Sequence, residues 1–185
     1  MRNISIVVIA TIALAAPVVR SVRIDRAKAS DTGTLLVDVG DRVLPAATEV
    51  SSAWPVMNNT AVFYTRQRPA GVQQLRLFDA PSALSRTLGT VPGDVVDLTQ
   101  HSRPESGWFF ILTTRDDATG NPSLAIVSEN KGVLYREELA APGTLVNGTL
   151  QVRRYSKEEV QRTHGDLMKA QPASIDPLAL SSLLK

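Results

Sequence analysis

The chain contains no cysteine. That absence removes disulfides, thiol nucleophiles, cysteine-ligated zinc and the lipid-modified cysteine of a bacterial lipoprotein. Histidine is nearly as scarce, with two in 185 residues. Neither His101 nor His164 has a histidine or carboxylate at the helical spacing that holds zinc, and no Gly-x-Ser-x-Gly elbow is present to pair with them. Glycine-rich phosphate loops of the Gly-x-Gly-x-x-Gly or Gly-x-x-x-x-Gly-Lys kind are also missing. Neither charge dominates, because 20 Lys and Arg stand against 18 Asp and Glu and alternate with them along the chain. No basic face for phosphate backbones results, so nucleic acid is not an expected partner. Neither a metal nor a cofactor is expected.

The features that are present begin at the N-terminus. Arg2 and Asn3 lead into an apolar run from Ile4 to Val19, followed by the basic residues Arg20, Arg23, Arg26 and Lys28. A basic start, an apolar core and Ala13-Leu14-Ala15 before Ala16 form the layout of a secretory signal cleaved after Ala15. The basic residues after the run oppose export of the rest of the chain, which favours an uncleaved anchor instead. A mitochondrial presequence and a buried strand at Ile6 to Ile9 are the other readings. Residues 1–29 are therefore expected to be a signal peptide or N-terminal anchor with a basic flank. The localisation this implies is extracytoplasmic, secreted or periplasmic, and any membrane attachment would run through Ile4 to Val19.

Residues 30–155 alternate short β-rich segments with turn residues, as an all-β domain does. Strands are expected at Thr34 to Val39, Ala61 to Arg66, Gln73 to Phe78, Asp94 to Thr99, Trp108 to Thr114, Ser123 to Ser128, Gly132 to Glu137 and Thr149 to Tyr155. Turns fall at Pro69-Ala70-Gly71, Pro92-Gly93, Ser106-Gly107, Thr119 to Pro122, Asn130-Lys131-Gly132 and Pro142-Gly143. The segments repeat weakly: Leu75, Leu77 and Phe78 correspond to Leu124, Ile126 and Val127, with an earlier copy at Thr34 to Asp38. Units of this length holding about four strands are what propeller blades look like. The stretch Trp108 to Asp116, followed by Asn121 to Val127 and Asn130-Lys131-Gly132, resembles the inner strands of a blade in extracytoplasmic β-propeller proteins of the TolB-like kind. A propeller needs about four blades to close, more than this chain has room for. The expected fold class is mainly β: an antiparallel sheet or sandwich, or partial propeller-like blades, with one or two short C-terminal helices.

Residues 156–185 change character and are expected to form a helical tail. Ser156 and Glu159 make a capping box that starts a helix near Lys157, which Gln171-Pro172 would end. Asp176 as cap and Pro177 as first residue signal a second helix carrying Leu178, Leu180, Leu183 and Leu184. Either these helices cover an open edge or face of the sheet, or the leucines dock on a partner. The candidate partner-binding residues are Leu180, Leu183 and Leu184, together with Trp54, which stands among Ser51, Ser52, Asn58 and Asn59 and is expected to be exposed. Trp108 and a phenylalanine beside it are expected in the core. Asp31-Thr32-Gly33 reads as a turn, and Asp116, Asp117 and Asn121 as a hairpin tip. With no catalytic constellation, the expected function is an exported or membrane-anchored, non-enzymatic binding or assembly protein acting through protein–protein contacts, with a protein partner or with itself. The alternative is a carboxylate-dependent hydrolase of the envelope or secretory space, using Asp94 and Asp97.

Overall fold

The computed structural model describes residues 17–27 and 30–185. The signal or anchor reading of Ile4 to Ala16 lies outside those residues. Among the described residues, no helix is long and apolar enough to cross a membrane.

The chain folds as successive antiparallel meanders stacked face to face, a propeller-like arrangement of blades. Strands β1 (Ser21–Arg26), β2 (Gly33–Asp38), β3 (Val43–Val56), β4 (Ala61–Arg68), β5 (Val72–Asp79) and β6 (Leu84–Pro92) are hydrogen-bonded in chain order as one sheet. Residues 43–50 of β3 pair with β2, whereas residues 50–56 pair with β4. Register shifts flank this change of partner, and Glu49 adopts a left-handed φ of 57°. Such bulges bend a strand, and here the sheet folds over on itself. Leu35, Val37 and Val50 then share a dry core with Val62, Tyr64 and Phe78. The sheet thus makes two layers, β1 to the first part of β3, then the rest of β3 to β6.

A third layer is the four-stranded meander β7 (Asp94–Arg103), β8 (Gly107–Arg115), β9 (Pro122–Ser128) and β10 (Gly132–Glu138). A fourth is the three-stranded sheet β11 (Ala140–Val146), β12 (Thr149–Arg154) and β13 (Ser174–Ala179). Between β12 and β13 comes helix α1 (Lys157–Arg162), and α2 (Leu180–Leu183) comes after β13.

The stacking explains the sequence pattern of the inner strands. Phe110, Leu112, Ala125 and Val127 face the second layer and pack with Phe63, Leu75 and Leu77. Their neighbours Phe109, Ile111, Leu124 and Ile126 face the fourth layer and pack with Leu150 and Val152. A strand buried on both faces reads as a continuous apolar run, and every residue of β9 is buried. The repeated Leu75-to-Phe78 and Leu124-to-Val127 segments lie in β5 and β9, each the third strand of its meander.

Several expectations need correction. Val19 is buried, its N–H donates to the Asn59 carbonyl at 2.7 Å, and β1 pairs along its whole length with β2. The segment read as a basic flank therefore contributes an edge strand, with Val22 and Ile24 turned inward and Arg20, Arg23 and Arg26 exposed. Charged edge strands resist pairing with other chains. The capping serine is where it was expected: Ser156 Oγ accepts from the Glu159 N–H at 3.1 Å. The helix is shorter, ending at Arg162, because His164 and Gly165 are both left-handed and the Gly165 N–H closes on the Val160 carbonyl at 2.8 Å. Ser174 to Ala179 form a strand where Asp176-Pro177 suggested a helix start. The Asp176 carboxylate bonds Ser174 and Arg154 instead of capping a turn.

Pro177 fits that strand for a definite reason. The Leu180 N–H donates to the Gly148 carbonyl in register with the β12–β13 ladder. Alternate amides point the same way, so the amide that Pro177 lacks would have pointed away from β12. By the same alternation Pro142, opposite Val152, sits on the outward side of β11.

Candidate functional site

The residues singled out for partner binding lie largely inside the molecule. Leu180 is 0% exposed and Leu184 6%, and Leu183 is partly covered; all three join the core between the third and fourth layers. β13 carries the chain back across β12 and delivers the leucine turn to that seam. The exposed-leucine tail is therefore corrected, and the chain end covers a sheet face. Trp54 is half-buried against the core between the second and third layers, its ring 6.1 Å from Phe63. Trp108 flanks the same core and is likewise half-buried, while Phe109 and Phe110 fill the interior.

His101, expected in a loop, lies on β7 with its ring stacked 5.3 Å from Phe109. Burial pushes its pKa down, so it is neutral at pH 7. His164 lies just beyond α1, and its carbonyl accepts from Arg115 at 2.9 Å. The Asp116 carboxylate holds a hairpin tip by accepting from the Thr119 N–H at 2.7 Å. A bulge between Val95 and Asp97 puts Asp94 opposite Arg115 and Asp97 opposite Thr113. Asp97 is exposed, whereas Asp94 accepts from the Gln73 amide, whose Oε1 in turn accepts from Ser51 at 2.9 Å. The carboxyl that Asp94 pushes up is that of Asp117. Among the described residues, no group of three His, Cys, Asp or Glu could hold a metal ion.

A charged seam joins the third and fourth layers. Arg154 on β12 donates through Nε to Glu137 on β10 at 2.5 Å and through Nη1 to Asp176 on β13, and the Tyr135 hydroxyl also donates to Glu137. Burial raises the Glu137 carboxyl, but the bonds from Arg154 and Tyr135 outweigh it and leave its pKa below the usual value. Ser174 and Arg154 lower that of Asp176 as well. Carboxylates depressed in the folded state contribute stability that is present above their unfolded pKa, about 4, and lost as pH falls through the folded values. Acidification from pH 7 to 3 is therefore expected to loosen the fourth layer first. Hydrogen exchange should show β12 and β13 amides losing protection before those of β8 and β9, and equal loss in both would contradict this.

Two surface features remain. One is the outer face of the fourth layer. Register puts Leu150, Val152 and Leu178 on the inner side, so Val146, Gln151, Ile175, Pro177 and Ala179 face outward. Helix α1 and the segment after it cover only one end of this face, packing Val160 and Leu167 on Ala141 and Tyr155. Val146 and Ile175 are 53% and 56% exposed. The other feature is a cleft of about 320 Å³ where β3 bends, lined by Thr34, Thr48, Tyr64, Arg66, Arg76 and Ser85 among others. Sequence reasoning missed it, because cross-strand register brings its arginines together.

No protein-family profile matches the chain, and no curated protein matches it. Among solved structures it is similar to the β-propeller domain of the Trilobed protease from Pyrococcus furiosus, described as having an open velcro topology. The identity is 9% and the TM-score 0.46, over 66% of this chain and 40% of that one. The chain thus spans two fifths of the length of the structure it matches.

Proposed function

We propose that the chain is a non-enzymatic binding and assembly protein of the extracytoplasmic space, of the broad TolB-like propeller kind, which acts through protein–protein contacts. The observation that supports this is the outer face of the fourth layer, of which the described residues cover only one end. Each inner layer is stable because a neighbour lays an apolar sheet on it, the logic by which repeat architectures bury their cores. The fourth layer offers Val146, Ile175, Pro177 and Ala179 on its outward side. The occupant that suits this face is the apolar β-layer of another protein chain, which continues the stacking already present between layers two, three and four.

Native mass spectrometry of the full chain recovered from its own compartment tests the reading. Wild type is expected in a stoichiometric complex, with a second copy or with another chain, and Ile175→Asp is expected to release it. Since Ile175 is exposed, its replacement should change folding stability by no more than about 0.5 kcal/mol. A wild type that is wholly monomeric, or a complex indifferent to Ile175→Asp, would overturn the proposal.

A further inference from the structure

We infer that the cleft between the first and second layers is an oxyanion site that seats a phosphate group between Arg66 and Arg76. The inference does not rest on the protein-binding role, since this cleft and the fourth layer are built from different strands.

The register pairs Tyr64 with Arg76 and Arg66 with Gln74, so Tyr64, Arg66 and Arg76 share one face of β4 and β5 and the two guanidinium groups are diagonal neighbours. Like charges so placed destabilise a sheet unless something negative lies between them. Glu49 answers half of this need, its carboxylate meeting Arg66 Nη2 at 2.5 Å. Among the described residues, Arg76 has no acidic partner. The donors point the same way. Arg66 Nε, Arg76 Nε and Ser85 Oγ are all buried without a hydrogen-bond partner, and all three residues line the same cleft. A buried donor without an acceptor is costly, and an acceptor-rich group that drew these side chains toward the cleft would relieve that cost.

The donors define the chemistry of that group. A guanidinium presents its N–H groups in a planar fork that fits phosphate or carboxylate oxygens in pairs. Two forks and a hydroxyl on one face of three neighbouring strands offer more donors than a single planar carboxylate accepts, which suits a tetrahedral dianion better. Thr34 and Thr48 also line the cleft. Glu49, with its side chain 63% exposed, pairs with Arg66 and is free to swing into solvent when phosphate arrives. The cavity of about 320 Å³ exceeds what a bare phosphate fills and leaves space for an organic ester group.

Calorimetric titration of the full chain with inorganic phosphate and with glycerol 3-phosphate tests the site. Both are expected to bind, and tighter binding of the monoester would assign the group to an esterified ligand, equal binding to free phosphate. Arg76→Lys keeps the charge but removes the fork, and should weaken binding about tenfold. Glu49→Gln removes the competing carboxylate from an exposed position and should strengthen binding about threefold, a readout that survives if the arginine variant folds poorly. Failure of both ligands to bind overturns the inference. So does a folded Arg76→Lys protein that binds like wild type, or a Glu49→Gln protein with unchanged affinity.

Discussion

Replacing Phe110 with alanine is expected to destabilise the protein by about 3–5 kcal/mol, the range for deleting a fully buried phenylalanine. Its ring is 0% exposed and lies 5.0 Å from that of Phe63 across the seam between the second and third layers. Trp54 packs against Phe63 in turn, and Trp108 borders the same core. Collapse into the space is limited, because Leu112, Ala125 and Val127 already pack there and strands on both sides are pinned by their ladders. Since domains have only about 5–15 kcal/mol of stability in total, the variant should melt far below wild type. Both tryptophans flank the cavity, so denaturant titration followed by their emission measures the loss directly. A loss under about 1 kcal/mol would mean that the two layers do not meet at this residue.

The second large effect is expected at Gly132, where about 2–4 kcal/mol should be lost on substitution by alanine. Gly132 has a φ of 76°, which alone costs an L-residue about 1–2 kcal/mol. A methyl group there would also collide with the carbonyl oxygen of Leu88 in β6, backbone that cannot yield without shifting the second layer against the third. Gly120 separates the two contributions. Its φ is 71° but the nearest atoms lie 4.0 Å from an added methyl, so Gly120→Ala should show the backbone cost alone. Equal losses at the two positions, in thermal or urea unfolding, would rule out the close approach.

The strands that could be read from sequence are those whose chemistry is decided locally. β4, β5, β8 and β9 are rich in apolar residues and each adjoins a turn that contains Gly or Pro, and their positions follow from that. β3 was not legible because it contains Pro45 and Pro55 and changes partner halfway, so no single alternation runs through it. β6 has one-sided burial broken by Gly89. β13 departs from its local pattern because Asp-Pro is an excellent helix start in isolation, whereas the Arg154 guanidinium across the sheet captures the aspartate. β1 was hidden by its arginines, which suit an exposed edge as well as they suit a leader's flank. The same limit applies to function. The leucines at the chain end looked like a docking surface because their burial depends on a strand that doubles back, and the Arg66 and Arg76 cleft depends on a register that no local pattern encodes.

The two prolines of the fourth layer decide in which direction anything can be added to it. Outward amides are what an incoming strand would need in order to zip onto a sheet edge, and both edge strands interrupt that row, β11 with Pro142 and β13 with Pro177. Lateral growth, the route to domain swapping and fibrils, is thereby blocked at the sheet that is otherwise most open. Stacking perpendicular to the plane of the sheet is not. The end of the molecule is thus built like a tile with guarded sides and an upper surface that the described residues cover at one end only.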